Sequence, residues 1–299
     1  MYEELTRILP VHTLRFNEPM SNHTSFKIGG PADIVVLPES IGDIQKVLFF
    51  AREKGIPLFI MGFGSNLLVR DKGVRGIVIK IGNCLNDFKV EDNEIYAEAG
   101  IRLSYLAKKA AENSLSGLEF AEGIPGSLGG AVFMNAGAYG GEMKDILKEV
   151  HAVSPDGEMK TFLKNEMRLS YRYSIFQDNG YIILGAKMQL KKGNKEQILV
   201  CMREFAARRR EKQPLNMPSA GSIFKRPEGY YVGPMLEKLG LKGYRIGGAE
   251  VSDKHAGFIV NAGGATCEDV LQLIDYIKSK VREVYNVELE PEIKIIGEE

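Results

Sequence analysis

Seven glycines, Gly123, Gly126, Gly129, Gly130, Gly137, Gly140 and Gly141, crowd residues 118–141. A stretch so poor in side chains brings main chain close to something or turns it sharply. A second run, Gly62-Phe63-Gly64-Ser65-Asn66, directly follows an apolar segment at 57–61. Glycine admits positive φ and presents N–H donors with no Cβ in front, so the two runs together suit an anion the size of a dinucleotide diphosphate. The Rossmann fingerprint is excluded: it needs a third glycine opening a helix, and Leu67 and Leu68 stand there instead. Taken alone, 62–66 is better explained as a turn between strands.

The rest of the chain alternates helical and strand patterns. Residues 34–37 read as a buried strand. Ser40, with Asp43 three residues on, opens a helix that ends at Gly55 and turns Ile41, Ile44, Val47, Leu48 and Ala51 to the core. Strands follow at 57–61 and 76–81 with no helix between them, then a helix at 103–113. A hairpin is expected over 149–163 around Pro155-Asp156-Gly157, and a strand over 181–190. A long helix over 194–212 runs into Pro214 and Pro218, the boundary of a second mixed lobe. That lobe should hold a strand at 258–261, a helix capped by Thr266 with Asp269 at its third position, and a last strand over 287–296. The order of elements predicts an α+β protein.

Composition removes several classes of function. Lys plus Arg equals Asp plus Glu at 39 each, so no global field draws the chain to nucleic acid or an anionic membrane. No segment approaches the ~20 apolar residues of a membrane span, and the opening MYEELTRILP has no signal-peptide core. Cys84, Cys201 and Cys267 form no CxxC pair, so neither a disulfide framework nor a metal site is expected, and a reducing, cytoplasmic setting follows. His12, His23, His151 and His255 fall in no triad or metal-ligand spacing; His255 is the one best placed to line a site. The basic run Arg208-Arg209-Arg210 with Lys212 is either a solvated helix face or a phosphate-facing one.

Three further stretches set polar residues in apolar or glycine-rich surroundings: 170–176, 219–227 and 289–293. Each has a bland explanation, with Arg172 a surface ion-pair residue, Ser222 a turn cap and Glu292 the exposed member of a strand. Taken in order, however, Asn22-His-Thr-Ser-Phe-Lys-Ile-Gly-Gly-Pro-Ala-Asp33, Gly62-Phe-Gly-Ser-Asn66, Ile124-Pro-Gly-Ser-Leu-Gly-Gly130, Asn135-Ala-Gly-Ala-Tyr-Gly140, Tyr171-Arg-Tyr-Ser-Ile-Phe176, Ala220-Gly-Ser-Ile-Phe224 and Glu290-Pro-Glu292 form a set. This set resembles the UDP-N-acetylenolpyruvoylglucosamine reductase family from about residue 22 to the end of the chain.

The resemblance implies a two-part FAD-binding region of the vanillyl-alcohol-oxidase (PCMH) type, over 1–82 and 83–212, followed by a smaller α+β substrate-binding lobe over 213–299. It implies noncovalent FAD, NADPH as co-substrate, and reduction of enolpyruvyl UDP-GlcNAc to UDP-N-acetylmuramate for peptidoglycan. Gly62, Gly64, Ser65, Asn66, Pro125, Gly126, Ser127, Gly129 and Gly130 would hold the cofactor. Arg172, Ser222 and Glu292 would be catalytic, with Tyr139, Tyr171 and Asn261 near the substrate and Lys254-His255 as weaker candidates. Arg172 suits an enolate carboxylate, and Ser222 would deliver the proton to C2 after hydride reaches C3. Two details depart from some relatives: Lys225-Arg226 stands where Lys-Asn occurs, and Phe176-Gln-Asp-Asn-Gly-Tyr181 is too short to hold an inserted tyrosine loop. The second marks the shorter subtype, leaving closure over the substrate to other elements such as the loop at 228–231. A monomer in the cytoplasm is expected. Another FAD oxidoreductase of the same fold, or a noncatalytic flavin or nucleotide-sugar binding protein, remains an alternative at this level.

Overall fold

A computed structural model describes residues 2–82 and 84–299. The chain forms two compact units, neither of them contiguous. The first takes Met1–Arg15, Ile34–Phe63 and Gly76–Arg208, and the second takes Phe16–Asp33, Gly64–Arg75 and Arg209–Glu299. Each has its own apolar core. One core joins residues such as Ile44, Ile77, Leu106, Val150 and Leu184, and the other joins Phe26, Leu68, Ile223, Leu273 and Ile277.

In the first unit the helix Ile41–Lys54 begins and ends where expected, with the Ser40 hydroxyl accepting from the Asp43 amide and Gly55 at φ 64. Ile44, Val47, Leu48 and Ala51 are buried as the spacing predicts, and Phe50 joins them. Leu58–Met61 pairs in parallel with Val74–Lys80, Leu58 opposite Ile77. A five-stranded antiparallel sheet follows, in the order Met159–Leu163, Leu147–Val153, Ile182–Gln189, Glu94–Glu98, Phe88–Glu91. Its central strand buries Ile182, Ile183, Leu184, Ala186 and Met188, the near-continuous burial of a strand covered on both faces. The predicted hairpin is present, with Val153 opposite Met159 and Gly157 at φ 89. Phe176 leads within a few residues into Ile182–Gln189, so the connection is as short as its sequence requires.

The second unit packs the helix Cys267–Tyr285 with a four-stranded sheet ordered Ser219–Ser222, Phe258–Asn261, Ala249–Val251, Arg245–Ile246. The expected strand over 287–296 is corrected to Lys294–Ile296, which pairs in parallel with Leu67–Val69. Apolar alternation suggested a longer strand, but Pro291 has no N–H for a ladder. Residues 290–292 instead run beside 223–225: Lys225 N donates to Glu290 O at 2.8 Å and Glu292 N to Ile223 O at 2.7 Å.

Two sets of partners fix the start of the Cys267–Tyr285 helix. The Thr266 hydroxyl accepts from the Asp269 amide at 3.1 Å, and the Asp269 carboxylate accepts from the Thr266 amide at 3.0 Å. Asp71 accepts from the Cys267 and Glu268 amides at 2.9 and 3.1 Å. The Thr266 amide is the main reason the Asp269 carboxyl lies below its ordinary pKa. Thr266→Ala should destabilise the protein by about 1 kcal/mol, measured by chemical denaturation; an unchanged midpoint would show that Asp71 alone suffices as the cap.

Candidate functional site

In the first unit the two glycine runs meet. A Cβ on Gly62 would lie 2.3 Å from the Ser127 Oγ, so no other residue fits there without moving Ser127. Ser127 is buried, and its hydroxyl accepts from the Gly130 amide at 3.3 Å. Leu128 N donates to Ile101 O at 2.9 Å and Gly129 N to Ala99 O at 2.8 Å, while Gly126 O accepts from Leu103 N at 3.1 Å. A Cβ on Gly129 would sit 3.0 Å from that of Ala99. Residues 126–130 are thus seated on 99–103, with Pro125 and Gly130 exposed at the rim. The sequence reading missed Arg102, whose guanidinium lies 4.3 Å over the Phe63 ring and whose backbone bridges to Ser127. A cation between Ile101 and Leu103 was its one local signal.

Arg172, Tyr171 and Tyr139 also belong to the first unit. Arg172 Nη2 donates to Gly137 O at 3.2 Å, and its guanidinium lies 5.0 Å over the exposed Tyr171 ring. Tyr139 stacks on Phe205 with ring centroids 4.3 Å apart, and its hydroxyl donates to Phe205 O at 3.3 Å. Arg172 has φ 55, Tyr139 φ 53 and Asn135 φ 42. Left-handed backbone at a residue with a Cβ costs roughly 1–2 kcal/mol, so the surrounding bonds must hold all three.

The second unit carries Gly64, Ser65, Asn66, Ser222, Asn261 and Glu292. Gly64 has φ 68, and its carbonyl accepts from Ser25 N at 3.1 Å. Asn66 Nδ2 donates to Glu292 O at 3.2 Å, while the Asn66 carbonyl accepts from Lys294 N at 3.0 Å. Glu292 is therefore fixed through its backbone by Asn66 on one side and Ile223 on the other, next to Ser222. Gly221, at φ 81, sits where the pairing of Ser219–Ser222 with Phe258–Asn261 shifts register. Among the described residues the Ser222 hydroxyl makes only long contacts, 3.3 Å to Phe224 O and 3.5 Å to Gly257 O. Asn261 spends its carboxamide within the second unit: Nδ2 donates to the distant Phe26 O at 3.2 Å, and Oδ1 accepts from the nearby Gly263 and Ala265 amides.

His255 shares Gly257 with Ser222. Its Nδ1 accepts from Gly257 N at 3.1 Å, and a Cβ on Gly257 would stand 3.0 Å from the imidazole and 3.7 Å from the Ser222 Oγ. Burial lowers the imidazole pKa below its ordinary 6.5. Cys84 and Cys267 are pushed up to about 12, chiefly by burial, which keeps both as thiols rather than nucleophilic thiolates. Among the described residues no cluster of His, Cys, Asp and Glu could hold a metal ion, and no helix is long and apolar enough to cross a membrane.

Comparison with known proteins matches residues 32–162 to an FAD binding domain and 213–296 to the C-terminal domain of UDP-N-acetylenolpyruvoylglucosamine reductase. The reductase of that name from Syntrophomonas wolfei is 59% identical over 299 residues, spanning 100% of both chains. That from Clostridioides difficile is 46% identical, covering 100% of this chain and 98% of its own. The crystal structure of the Thermus caldophilus UDP-N-acetylenolpyruvylglucosamine reductase superimposes with a TM-score of 0.81 at 35% identity, over 93% of this chain and 97% of that one.

The His255 environment gives a pH dependence with a definite sign. Because the folded state lowers its pKa, the stability associated with neutral His255 is fully present above 6.5 and is lost as pH falls through 6.5 toward the folded value. His255→Gln should flatten that part of the stability-versus-pH curve, measured by denaturant unfolding from pH 8 to pH 5. Parallel curves for the two proteins would show that His255 does not titrate on unfolding.

Proposed function

The chain belongs to the UDP-N-acetylenolpyruvoylglucosamine reductase family, FAD-dependent oxidoreductases that reduce enolpyruvyl UDP-GlcNAc to UDP-N-acetylmuramate in peptidoglycan precursor synthesis, and from that premise we propose how its own residues divide the work. Residues 1–82 and 83–212 serve the flavin, and 213–299 serve the sugar nucleotide. The contact between Gly62 and Ser127 fits a noncovalent dinucleotide: a side chain at 62 would fill the place where the two loops meet. Gly62, Gly64, Ser65, Asn66, Pro125, Gly126, Ser127, Gly129 and Gly130 hold it in this reading. Bound FAD, reduced by NADPH, supplies the hydride that reaches C3 of the enolpyruvyl group.

Hydride addition places negative charge on the substrate carboxylate as an enolate. Arg172 stabilises it, because a planar guanidinium offers two parallel charge-assisted hydrogen bonds. Ser222 then donates the proton to C2, and Glu292 holds and polarises the intermediate. The observation that carries the assignment is the loose seating of the Ser222 hydroxyl, held only at 3.3 and 3.5 Å, beside a Glu292 whose backbone is bonded from two sides. A proton donor needs a hydrogen that can turn to its acceptor, and contacts this long leave the Ser222 hydroxyl able to turn. Tyr139 and Tyr171 flank the substrate, and the Asn261 carboxamide supports the turn behind it. In this reading the enzyme acts as a monomer. Its setting is the cytoplasm, a reading supported by unpaired Cys84, Cys201 and Cys267.

Two substitutions test the roles. Ser222→Ala should leave bleaching of the flavin by NADPH near normal and slow reoxidation by enolpyruvyl substrate ~10²- to 10⁴-fold, with partial recovery in Ser222→Cys; stopped-flow traces showing both half-reactions slowed alike would remove Ser222 as the donor. Arg172→Lys should lower turnover much more than thermal stability, because an ammonium cannot reproduce the planar fork. Wild-type turnover in that variant would take Arg172 out of the chemistry.

A further inference from the structure

The left-handed backbone of Arg172 is held by side chains that no catalytic role accounts for. Gln177, at the end of the short helix Ile175–Gln177, donates its carboxamide to Arg172 O and to Phe133 O, both at 3.0 Å. Ser174, fully buried, donates to the same Phe133 carbonyl at 2.7 Å. Ser170 and Tyr173 exchange backbone bonds of 3.1 Å in both directions, closing a tight loop with Arg172 inside it. Asn135 is wholly buried and fastens the front of that loop. Its Nδ2 donates to Ser170 O at 2.8 Å and to the Glu142 carboxylate at 2.6 Å, and its Oδ1 accepts from Lys144 N at 2.8 Å.

We infer that Gln177 and Asn135 are positioning residues for Arg172: they pin the main chain on both sides of it, at Ser170 and at Arg172 itself, and so fix the direction of its guanidinium. An arginine on an ordinary exposed loop would relax to a right-handed backbone, and its side chain would leave from a different angle. Both amides donate to carbonyls on the 170–172 segment, a duty that a carboxylate or an aliphatic side chain of the same size cannot perform. Asn135 also links the loop to the 137–142 turn, whose Gly137 carbonyl accepts from the Arg172 guanidinium at 3.2 Å. The clamp therefore holds the residue at its main chain and at its tip.

The inference rests on Arg172 acting on the substrate, and a double-mutant cycle separates the two ideas. Gln177→Leu and Gln177→Glu in the FAD-loaded enzyme should each slow flavin reoxidation by enolpyruvyl substrate about tenfold or more. Bleaching by NADPH should keep its rate, and the flavin spectrum should be unchanged. In an Arg172→Ala background the same changes should add little, because the guanidinium they aim is gone. If Gln177→Leu slows reoxidation by the same factor with and without Arg172, or slows both half-reactions alike, the positioning role is wrong. If Arg172→Ala alone leaves reoxidation intact, the catalytic reading of Arg172 fails first, and the positioning role fails with it. Should either Gln177 variant not fold, Gln177→Ala, which loses donation to Arg172 O and Phe133 O and adds no charge, takes its place in the cycle with the same outcomes.

Discussion

The Asp71 carboxylate, accepting from the first two amides of the Cys267–Tyr285 helix, is the interaction on which the second unit depends. It fastens a segment from early in the chain to a helix near its end, satisfying donors that a helix leaves unpaired. Leu67–Val69 adds the parallel pairing with Lys294–Ile296, and Leu68 enters the same core as Leu273 and Ile277. The loop at 64–66 thus inherits its shape from residues more than two hundred positions away. Asn66 can hold the Glu292 backbone because the strand that follows Asn66 is already paired beside it.

Around the candidate catalytic residues, specificity of shape comes from main chain held in costly conformations. Arg172, Tyr139 and Asn135 share positive φ; half-buried hydrogen bonds hold Arg172 and Asn135, and an exposed one to Phe205 O holds Tyr139. Ser222 follows Gly221 in the irregular end of a strand rather than its regular part. Regular structure supplies the two cores, and the groups with chemistry stand where regularity stops. This division lets the packing energy of the cores carry the local strain.

The parts legible in the sequence were those whose causes are local. Ser40 with Gly55 and Thr266 with Asp269 marked helix ends because capping is decided within three or four residues. The 149–163 hairpin showed itself through one Asp-Gly turn. Asp71 gave no sign of being a helix cap, since its partners lie 196 and 197 residues on. Nothing near Gln177 in the sequence signals that the Phe133 and Arg172 carbonyls are presented to it. The short strand Leu67–Val69 was invisible for the same reason, and the last strand was overextended because alternation spoke louder than Pro291. The motif residues could be named individually, but no spacing rule revealed which bonds would hold them.

The chain passes from one unit to the other after residues 15, 33, 63, 75 and 208. Every pass is a covenant with a later part of the polypeptide. A nascent chain that has emerged only as far as residue 208 carries Leu67–Val69 without its strand partner Lys294–Ile296, and Phe26, Ile28 and Leu68 without the rest of the core they enter. One bond of this kind, from Asn261 to Phe26, spans 235 residues. Synthesis must therefore be almost finished before the second unit can close, which sets a period of vulnerability to aggregation and proteolysis that a chain of two consecutive domains would escape.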